Sequence, residues 1–111
     1  TMALGGQGTA NMTGNLAPAE MAELSTPWRN DGDAARFRAQ YLALLPLMHF
    51  NYSAINPVAV KSLMRACGLP VGSLRKPLRE LDPTALAAGI RAIRDLELDK
   101  RYGYDVRDHA P

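Results

Sequence analysis

One cysteine and two histidines are all the soft metal ligands that this 111-residue chain carries. A single Cys67 excludes an internal disulfide, and with only His49 and His109 beside it the chain falls short of a four-ligand structural zinc site. A lone thiol fits a reducing compartment, and a cytoplasmic location is expected. Charge of one sign is also missing: 13 Lys+Arg against 11 Asp+Glu leave +2, spread without a block of like sign. That pattern points to neither a nucleic-acid arm nor a membrane patch. Long apolar runs are absent too, since nothing approaches the roughly 18 consecutive apolar residues of a membrane span, and the first residues lack the basic start and apolar run of a secretory signal. A soluble chain is expected. β-formers are scarce: Val, Ile and Thr total 12 residues, against 32 Ala and Leu, a balance that favours helix. The length suits one small domain with one core.

What is present reads mostly as helices. A first helix is expected over residues 17 to 31, with Asn15 as cap, Pro18 in the first turn, Glu20 at the positive end of the dipole, and Met21, Leu24 and Trp28 on one face. Pro27 should kink or shorten it. Asn30-Asp31-Gly32 then stops the chain, and Asp33 is placed to cap a second helix with Phe37, Tyr41, Leu44, Leu45 and Met48 on its apolar face, bent at Pro46 and fraying near Asn51. Asn56-Pro57 offers a cap and first-turn pair for a third helix, with Val60, Leu63, Met64 and Cys67 at i, i+3, i+4 and i+7 and Gly68 as its stop. Residues 68 to 81, broken by Gly68, Pro70, Gly72 and Pro77, should form an irregular connection. Asp82-Pro83 opens a fourth helix with Leu86, Ile90 and Ile93 inward, and from Asp99 the tail is polar and unpatterned, a surface-hugging or partly disordered end. No internal repeat is present, so periodicity alone gives a helical bundle and leaves the glycine-rich start unexplained.

That start is the most informative segment. Gly5-Gly6-Gln7-Gly8-Thr9-Ala10-Asn11-Met12-Thr13-Gly14-Asn15, followed by Ala17-Pro18, resembles the last barrel strand and following helix start of the dihydrodipicolinate synthase and N-acetylneuraminate lyase family, whose pattern is roughly G-x-x-G-[VI]-I-S-V-T-A-N-x-x-P. Downstream, Leu44-Leu45-Pro46-Leu47 is similar to the family's L-L-P-L, Asn56-Pro57-Val58-Ala59-Val60-Lys61 to N-P-I-P-V-K, and Gly68-Leu69 with Leu74-Arg75-Lys76-Pro77-Leu78 to G-L and L-R-x-P-L. The order is the family's own and covers most of residues 3 to 96. The resemblance implies a (β/α)8 TIM barrel, of which this mostly α-helical chain holds the eighth strand and helix in 1–32, a C-terminal helical region in 33–98 and a tail in 99–111. Such a barrel needs about 250 residues, so the chain is expected to be the C-terminal part of a longer enzyme. The strand is expected over Gly6 to Met12; with no neighbouring strand in this chain, it should be disordered or pair with a copy of itself or another chain.

Members of this family form a Schiff base between a lysine on an earlier barrel strand and the ketone of pyruvate, assisted by a tyrosine from another strand. A desolvated amine is nucleophilic at neutral pH, and the protonated imine is an electron sink for making or breaking a carbon–carbon bond. No catalytic residue is expected in this chain: Lys61, Lys76 and Lys100 are its only lysines, and Lys61 matches the lysine of the helical N-P-x-x-V-K motif. The resemblance assigns Ala10 a substrate-binding role, through a backbone carbonyl that faces the pyruvate-derived moiety. It implies no cofactor, and as partners pyruvate, the remainder of the barrel and further copies in a homo-oligomer (dimer or tetramer). Thr9-Ala10-Asn11 departs from the aliphatic pair and serine of the pattern, to which a carbonyl is indifferent. Asn56-Pro57 with Val60-Lys61 leans toward the synthases, which condense pyruvate with aspartate semialdehyde in lysine biosynthesis, over 2-keto-3-deoxy sugar acid aldolases or dehydratases and 4-hydroxy-2-oxoglutarate aldolase. A non-catalytic helical interaction module is the alternative of another class.

Gly5, Gly6 and Gly8 lack the lysine and spacing of a phosphate loop. The methionines read as core filler and Cys67 as a buried, inert thiol. His49 and His109 read as surface residues, and Arg75 and Arg79 as a solvated turn in which one arginine pairs with a nearby carboxylate. Tyr102 and Tyr104 suit a subunit contact.

Overall fold

The computed structural model describes residues 1–107; His109 and the rest of 108–111 lie outside the described residues. Five α-helices follow one another: α1 (Pro18–Leu24), α2 (Gly32–Asn51), α3 (Val58–Ala66), α4 (Pro83–Asp95) and α5 (Leu98–Tyr102), preceded by 3-10 turns at Met2–Leu4 and Met12–Asn15. No strand occurs among the described residues. The stretch expected as a strand, Gly6 to Met12, is instead irregular as far as Asn11 and largely exposed. The reason is physical: a strand is stabilised by a neighbour's backbone groups, and no segment here supplies them.

α1 is shorter than the expected 17–31. Ser25 Oγ and Thr26 Oγ1 donate back to the carbonyls of Met21 and Ala22, and Pro27 follows, so the helix closes at Leu24. Asn15 does not cap it; its side chain donates to the Met12 carbonyl, and the residue before the helix is Ala17. Trp28 therefore leaves the α1 face and meets the edge of Phe37 at 5.4 Å, while Phe37 stacks on Tyr41 at 6.0 Å.

α2 runs for 20 residues through Pro46. Leu42 and Pro46 are both exposed, so the carbonyl freed by the missing proline N–H lies on the solvent side. Asp33 is not its cap. It sits inside the first turn, where its carboxylate accepts from the Arg29 amide at 2.6 Å and pairs with Arg36 at 3.0 Å. The Arg29 amide, then Arg36, hold its carboxyl below the usual range. The buried face is Leu44, Leu47, Met48 and Asn51, with Phe50 beside it: of the expected set Leu44 and Met48 are buried and Phe37 packs against the core, whereas Tyr41 is 40% exposed and Leu45 only half-buried. The fully buried residues of α2 all lie in its C-terminal half, while Phe37 packs at the edge of the core, and the register set by the neighbouring helices admits the polar Asn51.

α3 starts one residue later than the Asn56-Pro57 signature suggests, because the Val58 amide already bonds Ile55 in a turn and Asn56 caps nothing. Its end follows the glycine logic. Gly68 adopts φ 76, its amide donates to Arg65 and that of Leu69 to Met64, the paired bonds of a Schellman stop. The connection to α4 is irregular, as expected, yet pinned by α3: Lys61 Nζ donates to the Ser73 carbonyl, Arg65 Nη2 to that of Gly72, and Arg65 Nη1 pairs with Glu80. Arg75 and Arg79 stay exposed. Asp82 caps α4 by accepting from the Ala85 amide at 2.9 Å.

Leu16, Leu24, Leu44, Leu47, Leu63, Ile93 and Leu98 lie at the centre of one apolar core shared by all five helices. Replacing fully buried Leu63 by alanine should cost about 2 to 5 kcal/mol in urea unfolding; a loss under about 0.5 kcal/mol would mean that α3 presents another face. Gly89 is a close approach, since a Cβ there would lie 2.6 Å from the buried Phe50 ring. Helix propensity alone favours alanine by about 1 kcal/mol. Overpacking costs about 1 to 3 kcal/mol, so Gly89→Ala should lower the thermal midpoint, and a rise would show that Phe50 yields freely.

Candidate functional site

The glycine-rich start is shaped by one left-handed glycine and one close backbone approach. Gly5, at φ 88, closes the first 3-10 turn, and the Gly6 amide donates to the Thr1 carbonyl at 3.0 Å, with Thr1 atoms where a Cβ would need to be. Ala10 follows in the exposed irregular stretch. Beside it, Thr9 and Asn11 edge a groove of about 160 Å³ whose floor includes Met21, Leu24, Phe37 and Met48.

Order returns at Asn11. It is extended, φ −143, and its side chain accepts from the Thr13 amide at 2.9 Å. Thr13 is completely buried, and its Oγ1 accepts from Asn51 Nδ2 at 2.9 Å, which joins the second 3-10 turn to the end of α2. Three residues on, the Leu16 carbonyl accepts from the Tyr104 hydroxyl at 2.8 Å. The Tyr102 hydroxyl accepts from the Ala19 amide at 3.0 Å and donates to the Glu20 carboxylate at 2.8 Å, and Arg101 pairs with Glu20 at 2.8 Å.

Through residue 107 the tail is thus partly helical and tied onto the fold, the surface-hugging form of the two expected and not the disordered one. Its two tyrosines, stacked at 5.5 Å, are spent inside the chain on α1 and the turn before it. Asn51 and Thr13 are the residues that sequence reading passes over, and Tyr102 and Tyr104, read there as suited to a subunit contact, bond within the chain. Asn51 continues the 44, 47, 48 register one step further, which is the signal that could have flagged it.

The lysines behave as supports. Lys61 is tied to Ser73, Lys76 is exposed in the connection, and Lys100 pairs with Glu97 at 2.7 Å, which raises its pKa, the opposite of what an imine-forming amine needs. His49 is exposed on α2. Cys67 is buried, and burial, with Asp99 nearby, pushes its thiol up to about 12. Among the described residues no group of three His, Cys, Asp or Glu is placed to hold a metal, and no helix is long and apolar enough to cross a membrane.

Against solved structures, the arrangement superposes on a crystal structure of dihydrodipicolinate synthase with a TM-score of 0.76 at 31% identity, over 87% of this chain and 33% of that one. The fold is therefore that of a portion of a TIM-barrel protein, mostly helical in itself. The dihydrodipicolinate synthetase family matches residues 1–94, and the chain belongs to it. A 4-hydroxy-tetrahydrodipicolinate synthase of Thermoanaerobacter sp. is 40% identical over 80 residues, 72% of this chain and 27% of its own. One from Methanocaldococcus jannaschii is 32% identical over 97 residues, 87% of this chain and 33% of its own. The chain spans about a third of the length of the relatives it matches.

Burial pushes Tyr104 up to about 12 as well, with Cys67 the next cause. Both groups stay neutral in the fold, whereas unfolded they ionise near 9.0 and 10.0. Between those values and about 12 the unfolded state sheds protons that the native state keeps, so stability should fall as pH rises. Melting temperatures taken from pH 8 upward check this, and Cys67→Ala should remove the earliest part of the fall; a flat profile would show that neither group is desolvated. Iodoacetamide at pH 8 should label Cys67 only after unfolding.

Proposed function

We propose that this chain is the C-terminal part of a pyruvate-dependent lyase, a 4-hydroxy-tetrahydrodipicolinate synthase that condenses pyruvate with aspartate semialdehyde. The observation that carries the reading is the family match running from residue 1 through the helical region, with the Gly5-to-Asn15 motif at its head. In this reaction a lysine amine, on the part of the barrel that precedes this segment, attacks the pyruvate ketone and water leaves as the protonated imine forms. Loss of a methyl proton then yields the enamine, whose carbon attacks the aldehyde.

This segment contributes a wall of the pocket, as expected where ligand groups gather at the C-terminal ends of barrel strands. Ala10 presents its backbone carbonyl there, an acceptor independent of its side chain. The groove at Thr9 and Asn11 is the surface against which the preceding strands pack. No lysine of this segment takes part, since each is exposed or already engaged.

Borohydride reduction in the presence of pyruvate tests the reading directly. The protein carrying the whole barrel should gain one reduced pyruvyl adduct, on a lysine outside this segment, and the 111-residue chain alone should gain none. An adduct on Lys61, Lys76 or Lys100 would overturn their supporting role. Ala10→Val should change pyruvate affinity only by crowding. No adduct in the whole-barrel protein would favour a non-catalytic helical module.

A further inference from the structure

If the pyruvate reading is right, the carbonyl of Ala10 must be aimed by something other than its own secondary structure, because residues 6 to 11 have none. The peptide plane that carries this carbonyl also carries the Asn11 amide, so its direction follows the placement of Asn11. Asn11 is in turn fixed by the bond from the Thr13 amide to its side chain. The question becomes what holds Thr13.

Two side chains do so, Asn51 from the end of α2 and Tyr104 from the tail. Asn51, wholly buried at the last position of α2, donates Nδ2 to Thr13 Oγ1 at 2.9 Å. Tyr104 donates to the Leu16 carbonyl at 2.8 Å, and the Leu16 amide closes the same turn on the Thr13 carbonyl at 3.0 Å. The Asn51 amide is poorly explained by stability alone. Its Oδ1 is buried without a partner, a deficit that an apolar residue in the same register would not carry. Tyr104 lies beyond residue 94, where the family match ends.

We propose that Asn51 and Tyr104 are positioning residues that aim the Ala10 carbonyl at the pyruvate-derived group, acting through Thr13 and Leu16; the inference rests on the pyruvate reading above. A carbonyl contact shared by ground and transition states affects KM and leaves kcat alone. In the protein carrying the whole barrel, Asn51→Leu and Tyr104→Phe should therefore each raise KM for pyruvate by about three- to tenfold with kcat within about twofold. The amides of Asn11 and Thr13 should exchange faster in both.

Leu86→Ala, a core truncation in α4, supplies the contrast: it should lower the melting temperature and leave KM unchanged. An unchanged KM in both positioning variants, or an equal rise in Leu86→Ala, overturns the role. Should Asn51→Leu fail to fold, Tyr104→Phe decides, since it removes one oxygen and keeps the ring. A wild-type protein that traps no pyruvate under borohydride overturns the pyruvate reading and the positioning role with it, a result distinct from an altered KM.

Discussion

The hydroxyl of Tyr102 does for α1 what the local sequence does not. A helix of seven residues is too short to persist on its own, and the residue before it, Ala17, has no side chain with which to cap. Tyr102, 83 positions away from Ala19, accepts the orphan amide in the first turn and donates to Glu20 one residue further on. Glu20 itself is buried, a placement sustained only because Tyr102 and Arg101 both reach it. Remove this bridge and α1 loses the partner of its first-turn amide, and Glu20 is left buried with Arg101 alone.

The same constraint shapes the rest of the molecule. The tail can reach α1 because α4 and α5 meet at Glu97, held in the left-handed region at φ 53, and because Gly103 turns at φ 68. It then runs across the end of α3, where the Arg107 amide bonds Ala66 and Asp105 lies against Gly68. A side chain at Gly68 would be strained by its φ and pressed on Asp105, so the glycine that stops α3 also makes room for the tail. Cys67 is sealed beneath this crossing, which is why burial and not chemistry defines its thiol.

Much of the helical region is legible in the residues themselves. Asp82-Pro83 caps α4, Gly68 ends α3, and Val60, Leu63, Leu86, Ile90 and Ile93 face inward, because capping and a 3.6-residue period act within a turn or two of the chain. α2 is where this local logic fails. Its alanines and leucines lie on more than one side, so several registers look equally apolar, and the one adopted depends on how α2 packs against α1, α3 and α4. Asn15, Asp33 and Asn56 all look like caps and none is, since each has a nearer partner or a turn that precedes the helix.

By itself the sequence determined the family, through the order of short motifs from Gly5 to Leu78, and the positions of the stops and starts that proline, glycine and aspartate impose. Those are local properties, set by allowed dihedrals and by hydrogen bonds within a few residues. Only the tertiary structure decided the register of α2, the burial of Asn51 against Thr13, and the return of Tyr102 and Tyr104 to α1. Each of these joins residues 38 or more positions apart. A pairing of that kind is selected by the packing of the whole core, and no periodicity along the chain encodes it. The irregularity of residues 6 to 11 belongs with them, for whether an extended stretch becomes a strand depends on what lies beside it.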